Sequence, residues 1–546
     1  MKKIYLSIAT LFSVAMMYGQ GFWTPTSYKG AFPVTDGLTG ITSNDWTAGW
    51  CNFDPQSTNY PTTTVTVSSD ITSNTTWTST DVVLLQNKVY VTNGATLTIQ
   101  AGCVIRGDKN SGGTLIISRG SKINAQGTVS NPIVFTSNEA SGSRSLGDWG
   151  GIVILGSATN NQAGGVAVIE GGLDPVKAEY GGSNDSDSSG VLSFVRIEFG
   201  GIPFQVDKEI NGLTMGSVGN KTKIDHVQCS FTNDDSFEWF GGTVNCKYLV
   251  AFRGLDDDFD TDFGFRGNIQ FGLIVRDPSI ADQSASSTSE GFESDNDGSG
   301  TEALPHTAPV FSNITLVGPY RGSTANTIDA KFRRALRLRR NTYTSVFNSI
   351  FTDFPTGLHI DGAAAEANAL SDSLRFENNL LAGMPNGKNL QTGTSLNLRS
   401  WFNANMNDTS ATVTSLIVNP YNFTSGDYRL IASSAAASGA DFSDPFISSS
   451  GVIGLNEYNS SNMIAALYPN PASETFNLIF SSNSTGNATV LVLDLTGKTV
   501  LSENLNVVEG SKNKIQFNTS ELTNGFYFVN VSVNGTSKTL KLLLNK

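Results

Sequence analysis

The sequence predicts an all-β chain: a column of short stacked coils followed by a small antiparallel sandwich. Three observations carry this. First, 55 Gly and only 15% charged residues among 546 depart from the Ala/Glu/Lys/Leu-rich mix of helical proteins and suit short strands joined by tight turns. Second, a strand-and-glycine pattern recurs at about eighteen residues. Third, the last eighty residues change to longer alternating strands. A length of 546 residues leaves room for two to four domains at ~100–200 residues each.

Residues 1–19 open with Met1-Lys2-Lys3 and continue through an apolar stretch from Ile4 to Met17 to Tyr18-Gly19-Gln20. A basic start, a short apolar middle and a small residue at the cut describe a secretory signal peptide, and the stretch is short for a membrane span. Thirty-five Lys and Arg against 48 Asp and Glu give a net charge of −13, which disfavours a phosphate-backbone partner, so no nucleic acid is expected. Four Cys in an exported chain allow two disulfides or none. Cys229 and Cys246 lie 17 residues apart, close to the apparent coil length, and are the expected pair.

Residues 20–85, rich in Trp, Thr, Ser and Asn, are expected to form an N-terminal cap over the first coil's edge. The repeat itself is read over 86–440. Asn93-Gly94-Ala95-Thr96-Leu97-Thr98-Ile99 runs through Gly102 to Ile105, and a shift of eighteen lands on Gly112, Thr114, Leu115, Ile117, Gly120 and Ile123. Further along, an aromatic before paired glycines recurs at Tyr180, Phe199 and Phe240, and then Phe311-Ser312-Asn313, Phe347-Asn348-Ser349 and Phe376-Glu377-Asn378. Strands this closely spaced fall short of the ~40 residues of a propeller blade and fit a parallel β-helix. The Gly-x-Thr-Leu-x-Ile…Gly…Ile pattern resembles the pectate-lyase-like right-handed β-helix family, and the handedness is an implication of that resemblance and of the crossover rule.

Residues 441–463 read as a linker of small polar residues. From 464 onward, alternating strands separated by Gly and Asn turns fit a small antiparallel sandwich, with a carbohydrate-binding or Ig-like domain as the alternative. Within it stand Tyr468-Pro469-Asn470-Pro471, the turn Asp494-x-x-Gly497-Lys498, the strand Gly525-x-Tyr527-x-Val529 and the basic end Lys538-x-x-Lys541. In that order and at the C-terminus they resemble the type A sorting domain of type IX secretion cargo. The resemblance implies a Bacteroidota-like cell and export across the outer membrane to the surface or the medium. It implies three partners: an outer-membrane translocon, a barrel shuttle protein and a sortase-like peptidase.

The charged constellations of the column give the candidate sites. Asp256-Asp257-Asp258-Phe259-Asp260-Thr261-Asp262 would place Asp258, Asp260 and Asp262 on one face of a strand, where mutual repulsion calls for a cation, Arg partners or solvation. If a cation is held there it is expected to be calcium, with Glu293, Asp295 and Asp297 as a second group; otherwise the stretch forms a hydrated acidic ridge. In Lys331-Phe332-Arg333-Arg334-Ala335-Leu336-Arg337-Leu338-Arg339-Arg340 the Leu residues are expected inside, with Arg337 and Arg339 outside, pairing with the acidic face or holding an anionic sugar. Trp239 and Phe240 would offer stacking faces to a glycan ligand. Ile224-Asp225-His226-Val227 resembles a short strand of pectate lyases, but the Arg-rich run lacks that family's Pro, and His226 reads first as a structural residue. Asp372-Ser373-Leu374 resembles a bacterial O-glycosylation acceptor. Two functions follow as expectations. One is a non-catalytic adhesive or glycan-binding surface protein. The other is a calcium-dependent polysaccharide lyase or glycoside hydrolase, using Asp256 and Asp257 with Arg253 or Arg266.

Overall fold

A computed structural model describes residues 21–448 and 463–546, apart from 41–42, 204–209, 286, 324–326, 386–387, 393–395, 469–471, 483, 495–496, 509–510 and 535. The signal peptide therefore lies outside the described residues. Two compact units are present, residues 26–441 and a second one containing 442–546. Among the described residues no helix is long and apolar enough to cross a membrane.

The first unit is a parallel β-helix. Ten parallel strands, from Lys88–Val91 to Leu390–Thr392, form a front sheet, and a 16-stranded parallel sheet forms the remaining faces. That second sheet is bent. Long strands such as Gly190–Glu198, Lys223–Ser230, Asn245–Phe252 and Asn268–Val275 pass from one arm to the other through a single left-handed residue: Phe194, His226, Tyr248 and Phe271, with φ of 52° to 63°.

Register stacking makes the core three rows of inward side chains. One row runs Trp77, Ile99, Ala125, Leu192, Ile224, Cys246, Ile269, Phe311, Val346, Phe376. The second runs Val83, Ile105, Phe135, Ile197, Cys229, Ala251, Ile274, Leu316, Phe351, Leu381. The front sheet supplies Val89, Leu115, Ile152, Leu213, Phe237, Phe259, Phe292, Leu336 and Leu358. Nearly every member is buried, and each large apolar side chain so placed contributes ~1.5–3 kcal/mol.

These rows correct the expected period. Leu97 pairs with Ile123 and Leu115 with Val89 and Ile152, so a shift of eighteen joins two different faces of the column. Strands starting at 96, 104 and 114 step by eight and ten, which produces the false eighteen. A full regular coil is 22 residues, as from Phe237 to Phe259. The aromatic before paired glycines is no coil repeat either: Tyr180 sits in an inserted hairpin, Phe199 at a corner and Phe240 in the front sheet. In the later pattern the stacked residues are Asn313, Asn348 and Asn378, while Val346, not Phe347, stands opposite Phe311.

The expected disulfide is absent. Cys229 and Cys246 are free and buried because they belong to different inward rows, each aligned with an aliphatic partner one coil away, Ala251 and Ile224. Coil strands begin at Val65–Val67, ahead of the point where the repeat becomes legible. Residues 26–60 do not cover the first coil's edge. They run along the bent sheet, with Trp50 against Phe194 and His226 and Phe53 against Phe252 and Tyr428.

The second unit holds a three-stranded antiparallel sheet (Met463–Tyr468, Thr475–Ser482, Lys512–Asn518) and a four-stranded one (Thr499–Val507, Gly486–Leu493, Gly525–Val533, Thr536–Leu544). Leu467, Phe476, Leu478, Val490, Val492, Phe517, Val529, Val531 and Leu542 share its core.

Candidate functional site

The outward side of the front sheet carries the site. Its first row runs in register through Tyr90, Ile116, Val153, Thr214, Glu238, Asp260, Glu293, Arg337, His359 and Gln391. The apolar start of the row is covered by an inserted hairpin, Val166–Val168 with Glu179–Gly181, whose Ile169, Leu173 and Tyr180 pack on Tyr90, Ile116 and Val153. Where the hairpin ends, the acidic stretch begins.

Three sets of carboxylates meet along this stretch: Asp234 with Asp235 and Asp256, Asp235 with Glu238 and Asp260, and Asp257 with Asp260 and Glu293, each with oxygens within 4.8 Å of one another. Part of this is architecture. Asp235 Oδ1 accepts the Asp257 amide at 2.9 Å, Asp257 Oδ1 accepts the Glu290 amide at 2.6 Å, and Glu290 Oε2 accepts the Arg334 amide at 2.6 Å. Each carboxylate thus satisfies the next coil's backbone where the chain enters the front sheet. Glu238 is held by Asn211 Nδ2 at 2.5 Å. None of Asp235, Glu238, Asp257, Asp260 and Asp262 is ion-paired with Lys or Arg among the described residues.

Electrostatics follow from that crowding. Burial, then the charges of Asp234 and Asp260, push Asp235 well above the usual carboxylate range. Burial and then Glu170 and Asp260 do the same to Glu238, and burial with Glu293 and Asp262 raises Asp260 against the pull of Arg339. These groups retain protons where ordinary carboxylates have lost them.

Further down the face the charge is compensated. Arg337 bonds Glu293 at 3.2 Å and Asp361 at 2.9 Å, Arg339 bonds Asp295 at 2.8 Å and also Glu293, and Arg340 bonds Asp295 at 2.7 Å. Leu336 and Leu338 are buried, as their alternation with Arg337 and Arg339 requires.

Several expected site residues lie elsewhere. Asp258 does not share a face with Asp260 and Asp262: it is 0% exposed and paired at 3.0 Å with the buried Arg276, because the strand begins only at Phe259. Asp297 is consumed by its own turn, accepting the Ser299 and Thr301 amides. Trp239 fills the column at 0% exposure beside Phe237 and Phe265, and Phe240, 5% exposed, is covered by Phe263 and Tyr180, so neither offers a face to a ligand. Arg253 pairs with Asp277 and stacks on Phe231 and Phe423 at 4.6 and 4.4 Å, on the bent sheet's corner. Arg266 bonds Asp185 at 3.0 Å and Thr159. Neither Arg253 nor Arg266 therefore converges on Asp257 or on Asp256, which is bonded to Ser287. His226 is structural: it stacks between Phe194 and Tyr248 at 4.2 and 4.4 Å with Nδ1 bonded to Asp225.

Glu238, Asn211, Arg340 and Asp361 were not singled out as site residues from sequence. A signal was present: Phe237-Glu238, Phe259-Asp260 and Phe292-Glu293 repeat one aromatic–acid dipeptide, inward then outward.

In the C-terminal sandwich, Asp494 and Lys498 close a tight turn through Gly497 at φ 83°. Gly525 opens the strand that carries Tyr527, whose hydroxyl donates to the Thr523 carbonyl at 2.9 Å. Lys538 and Lys541 face Val531 and Phe528 on the neighbouring strand. Pro469, Asn470 and Pro471 lie outside the described residues.

Residues 69–419 match the pectate-lyase like beta helix domain, and residues 466–545 match the secretion system C-terminal sorting domain. Dimeric latent PorU from Porphyromonas gingivalis is 23% identical over 15% of this chain and 9% of its own, with a TM-score of 0.14. The tailspike protein 2 of Escherichia coli O157:H7 bacteriophage CAB120 is 11% identical over 85% of this chain and 64% of its own, with a TM-score of 0.21. The Dettilon tailspike protein is 10% identical over 85% and 84%, with a TM-score of 0.20. The chain thus spans less than two thirds of the first two proteins. No curated protein matches it. With the inward rows and the antiparallel tail in place, the two family matches make one statement: the chain belongs to the pectate-lyase like β-helix family and carries a type IX secretion sorting domain, which directs it across the outer membrane to the cell surface or beyond.

Proposed function

We propose that this exported protein is a non-catalytic glycan-binding or adhesive protein, and that the outward face of the front sheet from Glu238 to His359 is its ligand surface. The supporting observation is the in-register row of acid, acid, acid and Arg, with coils ~4.8 Å apart. Arg337 and Arg339 are braced by Glu293, Asp295 and Asp361, so their planar forks are oriented without further ordering cost. Such a grid of fixed donors and acceptors complements a hydroxyl-bearing sugar chain lying along the column axis. Calcium is proposed as an accessory ligand. The oxygens of Asp235, Glu238 and Asp260, within 4.8 Å of one another, fit the ~2.3–2.6 Å ligand distances of one hard cation, which would lower the charge facing an acidic sugar.

The competing reading is a polysaccharide lyase or glycoside hydrolase. It is favoured by the proton-retaining carboxyl groups of Asp235, Glu238 and Asp260, one of which would serve as a general acid. Against the lyase reading, none of these three carboxylates has a Lys or Arg ion pair among the described residues. One experiment separates the two: the full chain is incubated with acidic and neutral polysaccharides, with calcium and with chelator, and both retention and newly formed chain ends are measured. Saturable retention that falls at least ~10-fold in Asp260→Ala and Arg337→Ala, with no new ends, supports binding. Release of new ends, or retention untouched by both substitutions, overturns it.

A further inference from the structure

The N-terminal segment is built as a strap over one corner of the column. That corner is the row of left-handed residues Phe194, His226, Tyr248, Phe271, Asn313, Asn348 and Asn378, with φ between 49° and 63°. Its first four rings are stacked face to face along the axis at 4.2–5.0 Å, so they show edges outward and the Trp50 indole meets His226 edge-on at 78°. The strap runs opposite to the order of the coils. Lys29 and Thr35 donate their amides to Ala436 and Leu430, Gly30 to Asn348, and Ala31 to Thr315 Oγ1. Trp46 then lies 5.3 Å from Tyr248, Trp50 reaches His226 and Phe194, and Tyr60 bonds Glu198 at 2.9 Å.

Two buried side chains read mainly the strap's backbone. Gln228 bonds Asn52 twice, accepting its amide and donating to its carbonyl, both at 2.8 Å. Asn313 Nδ2 donates to the carbonyls of Tyr28 and Gly30 at 3.1 and 3.2 Å and to Thr26 Oγ1 at 3.1 Å. The seat is therefore assembled from residues 141 to 440, all later in the chain than the strap and spread over successive coils. The strap adds no residue to the three inward rows.

We infer that the strap is a late-seating latch: its seat exists only after the coils between residues 141 and 440 have stacked, and it lifts off while the column beneath stays folded. The test is hydrogen exchange on the full chain, pulsed during refolding and followed at equilibrium. In refolding, the Lys29, Gly30 and Thr35 amides gain protection at least ~10-fold more slowly than the strands Asn245–Phe252 and Asn268–Val275. At equilibrium, Asn313→Asp keeps the Oδ1 contacts to Ser312 and Gln270, loses the three donated bonds and speeds strap exchange at least ~10-fold, with less than ~2-fold change in those strands. Trp46→Ala with Trp50→Ala, which alters only the strap, does the same. Simultaneous protection of strap and strands in refolding, or a rise in strand exchange equal to that of the strap in both variants, overturns the inference.

Discussion

Replacing Asp260 with Asn should stabilise the column at alkaline pH and do so less in mild acid. Asp260 stands in register between Glu238 and Glu293, and its oxygens lie within 4.8 Å of those of Asp235, Glu238, Asp257 and Glu293. At an effective dielectric of ~20, each fully ionised neighbour at that distance repels it by ~3.5 kcal/mol. Glu293 is compensated by Arg337 and Arg339, and Arg339 also draws on Asp260. Protons held by the cluster relieve part of the rest. The net gain expected is ~1–3 kcal/mol where the cluster is ionised, and it shrinks as pH is lowered and protonation removes the charge. Asn has the shape of Asp, and Asp260 accepts no hydrogen bond among the described residues, so nothing else is lost. The assay is thermal unfolding of the column by circular dichroism, on full-length protein in chelator at pH 8 and pH 5, with an expected rise of roughly 2–4 °C at pH 8. An unchanged or lower midpoint at pH 8, or an equal rise at pH 5, would show that the acidic row is not self-repelling.

The same crowding gives the column a pH profile. Burial holds Asp258 and Asp353 at about 6 and Glu290 at about 7; the native state thus binds protons that the unfolded chain has already released, and stability falls as pH rises from ~4 through 7, by up to ~1.4 kcal/mol per pH unit and group. Denaturant titrations at half-unit pH steps should show that decline, and a flat profile would remove the argument. All four thiols should react with a thiol reagent after unfolding without reductant, and reductant should leave the native melting point where it was; fewer than four would mean a disulfide. Arg339→Met should cost ~2–3 kcal/mol in a denaturant titration, because Asp295 and Glu293 keep their burial and lose a partner. Removal of 463–546 should leave the protein inside the cell, as read by immunoblot of medium and surface fractions.

The column was legible because its inward rows are apolar and its turns glycine-rich, two features that each strand displays on its own. Its true period was not, because three strands of similar pattern make one coil, and Thr96–Ile99 and Thr114–Ile117 look alike although they lie on different faces. Insertions hide it further: 61 residues separate the stacked Ile152 and Leu213. The Arg/Leu alternation was readable as local strand physics. Asp258 and Trp239 were misplaced because the face a residue occupies depends on where its strand starts, and Phe259, not Asp258, opens the strand there; Cys229 and Cys246 were mispaired because the coil is longer than the apparent period, which puts them in different inward rows. The strap was invisible, since its partners lie hundreds of residues away, as Ala436 does from Lys29, and many of them touch its backbone.

In-register parallel stacking puts like on like. On the inward side that repetition is favourable, and Phe237, Phe259 and Phe292 stack edge to face at 5.2–5.6 Å. On the outward side the same rule places Glu238, Asp260 and Glu293 over one another, where it is costly. The chain handles this cost in three different ways along a single row. A hairpin covers the apolar part, Arg337 and Arg339 neutralise the later coils, and the middle is left acidic and holds its protons. Glu238 and Asp260 have no Lys or Arg ion pair among the described residues, so a donor or cation that reaches them improves the energy. Four coil steps separate Glu238 from His359, a track of about 19 Å at ~4.8 Å per step. Its acidic end abuts the hairpin and its cationic end does not. On the proposed ligand surface, a sugar chain would therefore extend from the hairpin toward His359.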